Sequence, residues 1–338
     1  MSSSKNTDAP ARGLGTESDP ASIEGAARAL QRGELVAFPT ETVYGLGADA
    51  ANPEAVSKIF TLKQRPSNHP LIVHIGDPDH LHHWGRDIPK TAEKLMAEFW
   101  PGPLTLIVRR GLTPMAVTGG QDSVGIRMPS HPVALALLRQ FGGAVAAPSA
   151  NRFGRISPTQ SRHVREEFGA NLETILEGGA CAVGLESTIV SLIESQPRLL
   201  RPGHISRTAL ETALGTQIIE GPSAESTLRA SGLLASHYAP ETPMRLVDAP
   251  LARDWIEASP IPKHKIAFLA LNDSLAVPPA ACHTVAMPGD PEHYGQQIYA
   301  TLRALDGPAF DLILVEKPPQ TEAWQAINDR LTRASHVD

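Results

Sequence analysis

A series of polar turns carries the residues that could do chemistry, and each turn lies beside a short apolar strand. The turns are PTETVYGLGAD (39–49), KQRPSNHPLIVHI (63–75), SVGIRMPSHP (123–132), APSANRFGRISPT (147–159), ESTIV (186–190) and RPGHIS (201–206). Taken one at a time, each segment is equally well explained as an ordinary turn. Open α/β sheets bind ligands at the ends of strands, so together the turns indicate one polar pocket.

The cations in these turns each have two interpretations. Lys63 and Arg65 stand two apart at the end of a predicted helix, before Pro66, where cations stabilise the helix dipole. Two cations beside a polar turn can also hold a triphosphate. Arg127 lies in a strand-like run between two apolar residues, and a buried cation needs a partner. This position favours binding of a carboxylate ligand.

Several other chemistries lack their sequence signatures. There is no G-x-x-x-x-G-K-[ST] phosphate loop, no G-x-G-x-x-G opening a βαβ unit and no G-x-S-x-G nucleophile elbow. His80, His82 and His83 lie in DPDHLHHWG without a second ligand cluster, which favours a solvated loop over a metal site. Cys181 and Cys282 do not form a disulfide framework or a zinc motif.

The composition is that of a globular protein. The 338 residues include 30 Lys+Arg and 36 Asp+Glu, giving a net charge of −6, and 41% are apolar. This length predicts two domains. No apolar run reaches the ~18 residues that span a bilayer, and the N-terminus lacks a secretory hydrophobic stretch, so we expect a cytoplasmic protein without membrane contact. The near-neutral central segment argues against stable binding of nucleic acid.

Alternating helical and strand patterns predict an α/β fold in two units. Residues 1–20 are predicted to be a disordered tail, and 21–206 an α/β domain. Its helices include SIEGAARALQRG and NPEAVSKIFTLKQR, the latter with Asn52 as N-cap and Pro53 at the first helical position. Residues 207–240 are predicted to form a linker, and 241–338 a smaller α/β domain with four short strands and two amphipathic helices.

The ordered motifs resemble those of the YrdC-like family. KxR before Pro66, followed by PSAN, is similar to the family's KxR…SxN pattern, and PTETVYGLG, GIRMP, ESTIV and RPG follow its other blocks in order. The resemblance covers about 21–206. HYAP (237–240) and the small C-terminal unit resemble the long, two-domain form of the threonylcarbamoyl-AMP synthases. This resemblance implies an open, twisted α/β sheet with a concave face and a second, smaller Rossmann-like α/β domain.

The resemblance also implies an activity and its partners. These enzymes are nucleotidyltransferases that condense L-threonine, bicarbonate and ATP into threonylcarbamoyl-AMP and pyrophosphate. Other proteins then transfer the threonylcarbamoyl group to an adenosine of tRNA, so the expected partners are the three substrates and this downstream tRNA-modifying machinery. No stable nucleic-acid binding by the chain itself is required.

The resemblance further implies roles for residues at the matching positions. Lys63 and Arg65 are the expected catalytic pair, with Arg65 contacting phosphate or bicarbonate-derived oxygens. Arg127 is expected to pair the threonine carboxylate as a planar fork. The threonine site would comprise Thr40, Tyr44, His74, Arg127, Ser149 and Ser187. The ATP site would comprise Lys63, Ser67, Ser123, Asn151, Thr159 and Arg201.

The expected chemistry explains why no nucleophilic Cys or Ser–His pair is evident. Threonine's amine can take up carbon dioxide to give a carbamate, which attacks the α-phosphate, and the enzyme's work is to position two anions and neutralise charge. Lys63, Arg65 and Arg201 suit that role. Mg²⁺ would bridge the phosphates, and because no carboxylate cluster marks a metal site, we expect it to be held mainly by ATP.

The linker is predicted to be a lid over the nucleotide, with His237 and Tyr238 contributing to the ATP site. About 25 residues with little periodicity are long for a passive connection, and the pair stands close before Pro240. A labile mixed anhydride also needs protection from water. The alternative is that HYAP only packs the two domains together.

Two other functions remain open at this stage. One is an RNA-binding module, against which the neutral charge of 21–206 and the lack of interleaved aromatic residues argue. The other is a carbamoyl transferase that shares the YrdC-like domain, against which the lack of zinc-finger Cys pairs and of an acylphosphatase-like region argues.

Overall fold

The computed structural model describes residues 19–221, 229–230, 232, 237–271 and 282–336. Within these ranges the first domain is built on one large mixed sheet. Its strands are β1 (Val36–Phe38), β2 (Gly45–Asp49), β3 (Ile72–His74), β4 (Gly85–Arg86), β5 (Leu104–Arg110), β6 (Ser123–Arg127), β7 (Val145–Ala146), β8 (Thr174–Ile175), β9 (Thr188–Ser191), β10 (Arg198–Arg201) and β11 (Ile219–Glu220).

The order of the strands is β11-β10-β9-β5-β6-β3-β7-β2-β1-β8, with β4 paired to β5. The sheet contains parallel pairs, such as β3–β6 and β5–β9, and antiparallel pairs, such as β5–β6 and β9–β10. The α-helices of this domain are α1 (Pro20–Gln31), α2 (Pro53–Lys63), α3 (Leu81–Trp84), α4 (Lys90–Phe99), α5 (Met115–Thr118), α6 (Pro132–Phe141), α7 (Ser161–Phe168) and α8 (Arg207–Leu214).

The second domain has a smaller, wholly parallel sheet with the order β12-β15-β13-β14. Its elements are β12 (Met244–Val247), α9 (Ala252–Ala258), β13 (Ile266–Ala270), β14 (His283–Ala286), α10 (Pro291–Leu305), β15 (Leu312–Glu316) and α11 (Gln325–Ala334). The four strands and the two longer helices confirm the sequence-based prediction for this region. In the part of the chain that the structure describes, every helix is too short or too polar to traverse a lipid bilayer.

Local sequence signals place α1 and α2. The Asn52 side chain accepts hydrogen bonds from the backbone N–H groups of Glu54 and Ala55 at 3.0 and 3.2 Å, and Pro53 opens α2 as predicted. Asp19 caps α1 in the same way, accepting from Ser22 N at 2.9 Å. Helix α1 therefore begins at Pro20, inside the range predicted as a tail; residues 1–18 of that tail lie outside the described residues.

The segment GLGAD (45–49) is a strand, which corrects its interpretation as a turn. It pairs antiparallel with β1 and places Gly47 opposite Val36. A Cβ on Gly47 would stand 2.9 Å from Cε1 of Phe38 and 2.6 Å from Cγ1 of Val145. Glycine is thus needed because side chains of β1 and β7 cover the strand, and such a residue has low intrinsic strand propensity.

Two elements lie inside the range predicted as the linker, 207–240. Helix α8 is capped by Ser206, and β11 pairs in parallel with β10, so the first sheet extends to Glu220. The two domains share a hydrophobic core. Val43, Ile156 and Leu185 of the first domain pack in one cluster with side chains of β13, α10, β15 and α11. This shared core positions the second domain against the strand ends that carry the polar turns.

Candidate functional site

A cavity of about 50 Å³ gathers most of the predicted site residues at the strand ends of the first domain. Its walls come from β2, β3, β6 and β10, from segments that adjoin α2, β1, β7 and β9, and from the end of the linker. The predicted residues that line it are Thr40, Arg65, His74, Arg127, Ser149, Ser187, Arg201, His237 and Tyr238; Thr42, Val43, Gly45, Ile72, Ala147, Pro148, Glu186 and Gly232 complete the lining.

Arg127 is held in place by three contacts. Its Nη2 lies 2.6 Å from Oε1 of Glu41, Nη1 donates to Oγ1 of Thr42 at 2.8 Å, and Nε donates to the carbonyl oxygen of Gly102 at 3.3 Å. The second oxygen of Glu41 accepts from Ser130 N at 3.1 Å. The sequence analysis missed Glu41, although a carboxylate between two threonines directly after a strand was a usable signal.

Thr40 and His74 stand beside this arginine. Oγ1 of Thr40 donates to the carbonyl oxygen of Val43 at 2.6 Å, which closes a compact turn. The His74 ring packs edge-on against Phe38, and Nδ1 lies 3.2 Å from the carbonyl oxygen of Ile72. Burial, reinforced by the charge of Arg127, lowers the pKa of His74 to about 3. The imidazole is therefore neutral and able to serve as a hydrogen-bonding group.

Ser187 and Arg201 form a second corner of the cavity. Nε and Nη2 of Arg201 donate to the carbonyl oxygen of Ser187 at 3.1 and 3.0 Å, and the hydroxyls of Ser187 and Thr105 are 2.7 Å apart. Both site residues are buried. Burial lowers the pKa of Arg201 from its ordinary value. This corner brings a cation and small hydroxyl groups together, an arrangement suited to phosphate oxygens.

Lys63, which was expected to be one of the two catalytic residues, does not line this cavity. It is only 1% exposed, and its ammonium donates to the carbonyl oxygens of Ser149 at 2.6 Å and of Asn151. Burial, and then the charge of Arg65, holds its pKa well below the ordinary value. The side chain therefore braces the 147–159 loop from inside.

Arg65, the other member of the predicted pair, does face the cavity. Its Nη2 donates to the carbonyl oxygen of Pro70 at 3.1 Å, and the guanidinium lies 5.5 Å from the ring centroid of Phe153. Nε is buried without a hydrogen-bond partner among the described residues. Burial lowers its pKa to about 10, which leaves it charged at neutral pH. An unpaired buried donor of this kind indicates a place for an anionic ligand.

The remaining predicted residues do not line this cavity. The hydroxyl of Tyr44 donates to the carbonyl oxygen of Gly179 at 2.9 Å, away from the threonine site it was expected to shape. Ser67 is exposed, and Ser123 lines a smaller neighbouring cavity. Asn151 and Thr159 are buried within the 147–159 loop or just at its end. The ligand-binding roles expected for these five residues stay predictions.

The end of the linker lies in the cavity wall. His237 and Tyr238 are 6% and 1% exposed, and their ring centroids are 4.1 Å apart. Nδ1 of His237 and the hydroxyl of Tyr238 are buried without hydrogen-bond partners among the described residues. Burial is the main cause that lowers the pKa of His237 to about 3. The rest of the predicted lid, residues 222–228, 231 and 233–236, lies outside the described residues.

The acidic residues near the cavity already have partners. Glu41 pairs with Arg127, and Glu186 accepts hydrogen bonds from Ser157, Tyr299 and Arg330. Across the described ranges, no group of three or more His, Cys, Asp or Glu side chains is arranged to hold a metal ion.

Fold and site together define an α/β enzyme of the YrdC-like class, with a Rossmann-like second domain packed on it. Residues 28–203 match the family model of Sua5, YciO and YrdC proteins, described as telomere recombination. Residues 205–336 match the model described as the C-terminal domain of threonylcarbamoyl-AMP synthase. The chain belongs to the threonylcarbamoyl-AMP synthase family, in its two-domain Sua5 form. The predicted family and fold class are thereby confirmed.

Individual relatives agree over nearly the whole chain. It is 38% identical over 319 residues to threonylcarbamoyl-AMP synthase of Pyrococcus abyssi, covering 92% of this chain and 93% of that one. It is 39% identical over 321 residues to the Bacillus subtilis protein of the same name, with 93% and 92% covered. The crystal structure of P. abyssi Sua5 complexed with L-threonine superposes with a TM-score of 0.84 at 36% identity, covering 93% and 94%.

Proposed function

We propose that this chain condenses L-threonine, bicarbonate and ATP into threonylcarbamoyl-AMP and pyrophosphate. One observation carries the proposal: a single cavity presents Arg127, Thr40 and His74 near one corner and Arg65, Arg201, His237 and Tyr238 around the rest of its wall. Such a cavity suits two anionic substrates held side by side. The similar P. abyssi protein, whose structure is described as a complex with L-threonine, supports L-threonine as a substrate.

In this proposal, the amino acid binds near β1, β3 and β6. Arg127 orients the threonine carboxylate as a planar donor fork, and the neutral His74 with Thr40, Ser149 and Ser187 supplies uncharged hydrogen-bonding groups. Each guanidinium nitrogen of Arg127 already has one partner, but Nη1 and Nη2 each carry a second N–H group that a substrate carboxylate could accept from.

The reaction balances in two steps. The threonine amine attacks the carbon of bicarbonate-derived carbon dioxide and loses a proton to give a carbamate, with water as the by-product. A carbamate oxygen then attacks the α-phosphorus of ATP, and the bond to pyrophosphate breaks. Arg65 and Arg201 neutralise the charge that accumulates on the phosphate oxygens. Mg²⁺ would arrive with ATP and offset phosphate charge, and Arg65 and Arg201 would be the cations that this chain adds around that complex.

The nucleotide side of the cavity is completed by the linker. The unpaired hydroxyl of Tyr238 and Nδ1 of His237 are buried in the cavity wall, where ligand atoms could satisfy them. Lys63 contributes indirectly, because it holds the carbonyl oxygens of Ser149 and Asn151. We therefore assign Lys63 the role of fixing the 147–159 loop beside the phosphates.

We also propose that the product passes to tRNA-modifying enzymes in the cytoplasm. A mixed anhydride of AMP is a short-lived acyl donor, and a transferase must consume it soon after release. The buried Cys181 and the half-buried Cys282 are both free thiols, which suits a reducing compartment.

The proposal is tested by pyrophosphate release from the purified full chain without RNA. We expect release only when Mg-ATP, L-threonine and bicarbonate are all present, and a nucleotide product that carries the mass of threonylcarbamoyl-AMP. Omission of threonine, and separately of bicarbonate, gives the matched controls. Equal release with and without threonine would refute the synthase activity, and a strict requirement for RNA would favour an RNA-dependent function.

A further inference from the structure

Arg330 of α11 reaches from the second domain and contacts the first domain next to two cavity residues. Its Nε donates to Oε2 of Glu186 at 2.8 Å, and its Nη2 donates to the carbonyl oxygen of Pro202 at 3.0 Å. Glu186 directly precedes Ser187, and Pro202 directly follows Arg201. The guanidinium of Arg330 therefore links the segment before β9 to the segment after β10.

Glu186 is fully engaged at this contact. Oε1 accepts from the hydroxyl of Ser157 at 2.6 Å, and Oε2 accepts from the hydroxyl of Tyr299 at 3.0 Å as well as from Arg330. The side chains of Glu186 and Arg330 are 8% and 2% exposed. A buried ion pair with this many hydrogen bonds has one preferred geometry, because displacement leaves a charge without a partner.

The same two residues of the second domain also support the end of the linker. The guanidinium of Arg330 lies 5.3 Å from the ring centroid of Tyr238, and the rings of Tyr238 and Tyr299 stack with centroids 5.9 Å apart. Tyr238 lines the cavity, whereas neither Arg330 nor Tyr299 does. The second domain thus contacts three segments of the cavity wall from behind.

Any shift of Glu186 passes directly to the cavity corner. The carbonyl oxygen of Ser187 accepts from Nε and Nη2 of Arg201, and the Ser187 hydroxyl lies 2.7 Å from that of Thr105. Reactions that depend on alignment of two bound reactants lose about 100-fold in rate when a group moves by roughly 1 Å.

We infer that Arg330 and Tyr299 are positioning residues of the synthase site, acting through Glu186 and Tyr238, so that the second domain completes the site rather than only accompanying it. This inference rests on the proposed function. It explains why a buried, charged network is kept beside the apolar core that joins the domains. An ion pair replaced by apolar residues often costs no stability, so stability alone does not account for the network.

The first test is Arg330→Met in the full chain, compared with Glu322→Gln as a control. Glu322, just before α11, also bridges the domains, accepting hydrogen bonds from N and Oγ1 of Thr208 in α8 at 2.8 and 2.7 Å, but it has no hydrogen bond to Glu186 or Pro202. We expect Arg330→Met to lower kcat/KM about 100-fold and to raise the KM of threonine and ATP at least fivefold. Glu322→Gln should keep both KM values within twofold.

Two further variants separate positioning from docking. Tyr299→Phe removes one hydrogen bond to Glu186 without creating a cavity, and we expect three- to tenfold higher KM values in a chain that still folds. Arg330→Met combined with Glu186→Gln should be no less active than the worse single variant, because residues that act as one unit are not additive.

The inference is overturned if folded Arg330→Met keeps both KM values within twofold, as the Glu322→Gln control is expected to do, since Arg330 then only docks the domains. If Arg330→Met does not fold, Tyr299→Phe decides: wild-type KM values would overturn the inference. If the wild-type chain shows no threonine-dependent pyrophosphate release, it is the proposed function that is refuted. Threonine affinity of Tyr299→Phe, measured by calorimetry, would then still test the positioning role, with wild-type affinity overturning it.

Discussion

Nη2 of Arg127 lies 2.6 Å from Oε1 of Glu41, and the two side chains are only 5% and 8% exposed. The cation that the sequence assigns to the threonine carboxylate therefore has a carboxylate partner within the protein. A buried arginine without such a partner would carry a large desolvation cost. Glu41 lets Arg127 remain charged in the free enzyme and also fixes the plane of its donor fork.

Arg127→Lys should raise the KM of threonine roughly 10- to 100-fold while changing the KM of ATP little. An ammonium cannot reproduce the planar fork, and one lost charge-assisted hydrogen bond is worth about 1.5–3 kcal/mol. Initial rates of pyrophosphate release at varied threonine and varied ATP give the two constants. Arg109→Lys, on the exposed end of β5, is the matched control. A selective loss of ATP affinity would reassign Arg127 to the nucleotide.

Lys63→Met should lower the free energy of unfolding by about 2–4 kcal/mol, besides abolishing synthesis. Methionine keeps most of the side-chain volume but leaves the carbonyl oxygens of Ser149 and Asn151 without their buried donor. Urea denaturation measures the change. Lys58→Met, on the same helix with its ammonium bound to the carbonyl oxygen of Gly33, provides the control for activity. Unchanged stability of Lys63→Met would show that the ammonium does not brace the loop.

Arg65→Ala should abolish synthesis while leaving the melting temperature nearly unchanged. Its guanidinium faces the cavity and makes one hydrogen bond, to Pro70, with its Nε unpaired among the described residues. Loss of a charge-assisted contact to phosphate should remove about 1.5–3 kcal/mol of transition-state binding. Rates near those of the wild-type chain would show that Arg65 serves only as a cation near the C-terminus of α2.

Tyr238→Phe should raise the KM of ATP several-fold without changing the melting temperature. The substitution removes only a hydroxyl that has no partner among the described residues and keeps the stacking on Tyr299. Tyr238→Ala should weaken ATP use further, because the stacking is lost as well. In the lid hypothesis, ATP with threonine also protects residues 225–240 from protease. If cleavage is equally fast with and without both ligands, and Tyr238→Phe keeps full activity, this segment is only a tether between the domains.

Stability should fall as the pH drops below about 6.5. Burial lowers the pKa of His74 and of His237 to about 3, against an ordinary value of 6.5. Between these pH values the unfolded chain binds protons that the folded chain does not, so each histidine removes about 1.4 kcal/mol per pH unit as the solution becomes more acidic. Urea titrations at pH 7, 6 and 5 measure the slope. His74→Leu should reduce the slope of the unfolding free energy against pH. A slope equal to that of the wild-type chain would contradict the assignment of His74 as neutral in the folded state.

The local elements were largely predictable. Asn52 and Pro53 place the start of α2 because capping needs only neighbouring backbone groups, and the strands and two main helices of the second domain follow from their hydrophobic periodicity. Strand β2 escaped prediction because its glycines have low intrinsic propensity and are required only by side chains of β1 and β7. Tertiary context overrides propensity at such positions.

The sequence by itself determined the family, the order of the polar turns and most of the residues that meet in the cavity. Only the tertiary structure decided what each side chain does there. It turned Lys63 inward to the 147–159 loop, paired Arg127 with Glu41 and brought Arg330 to Glu186, 144 residues away. Caps and periodicity act over a few residues, whereas these pairings depend on how distant segments pack, and a buried charge accepts only the partner that packing supplies.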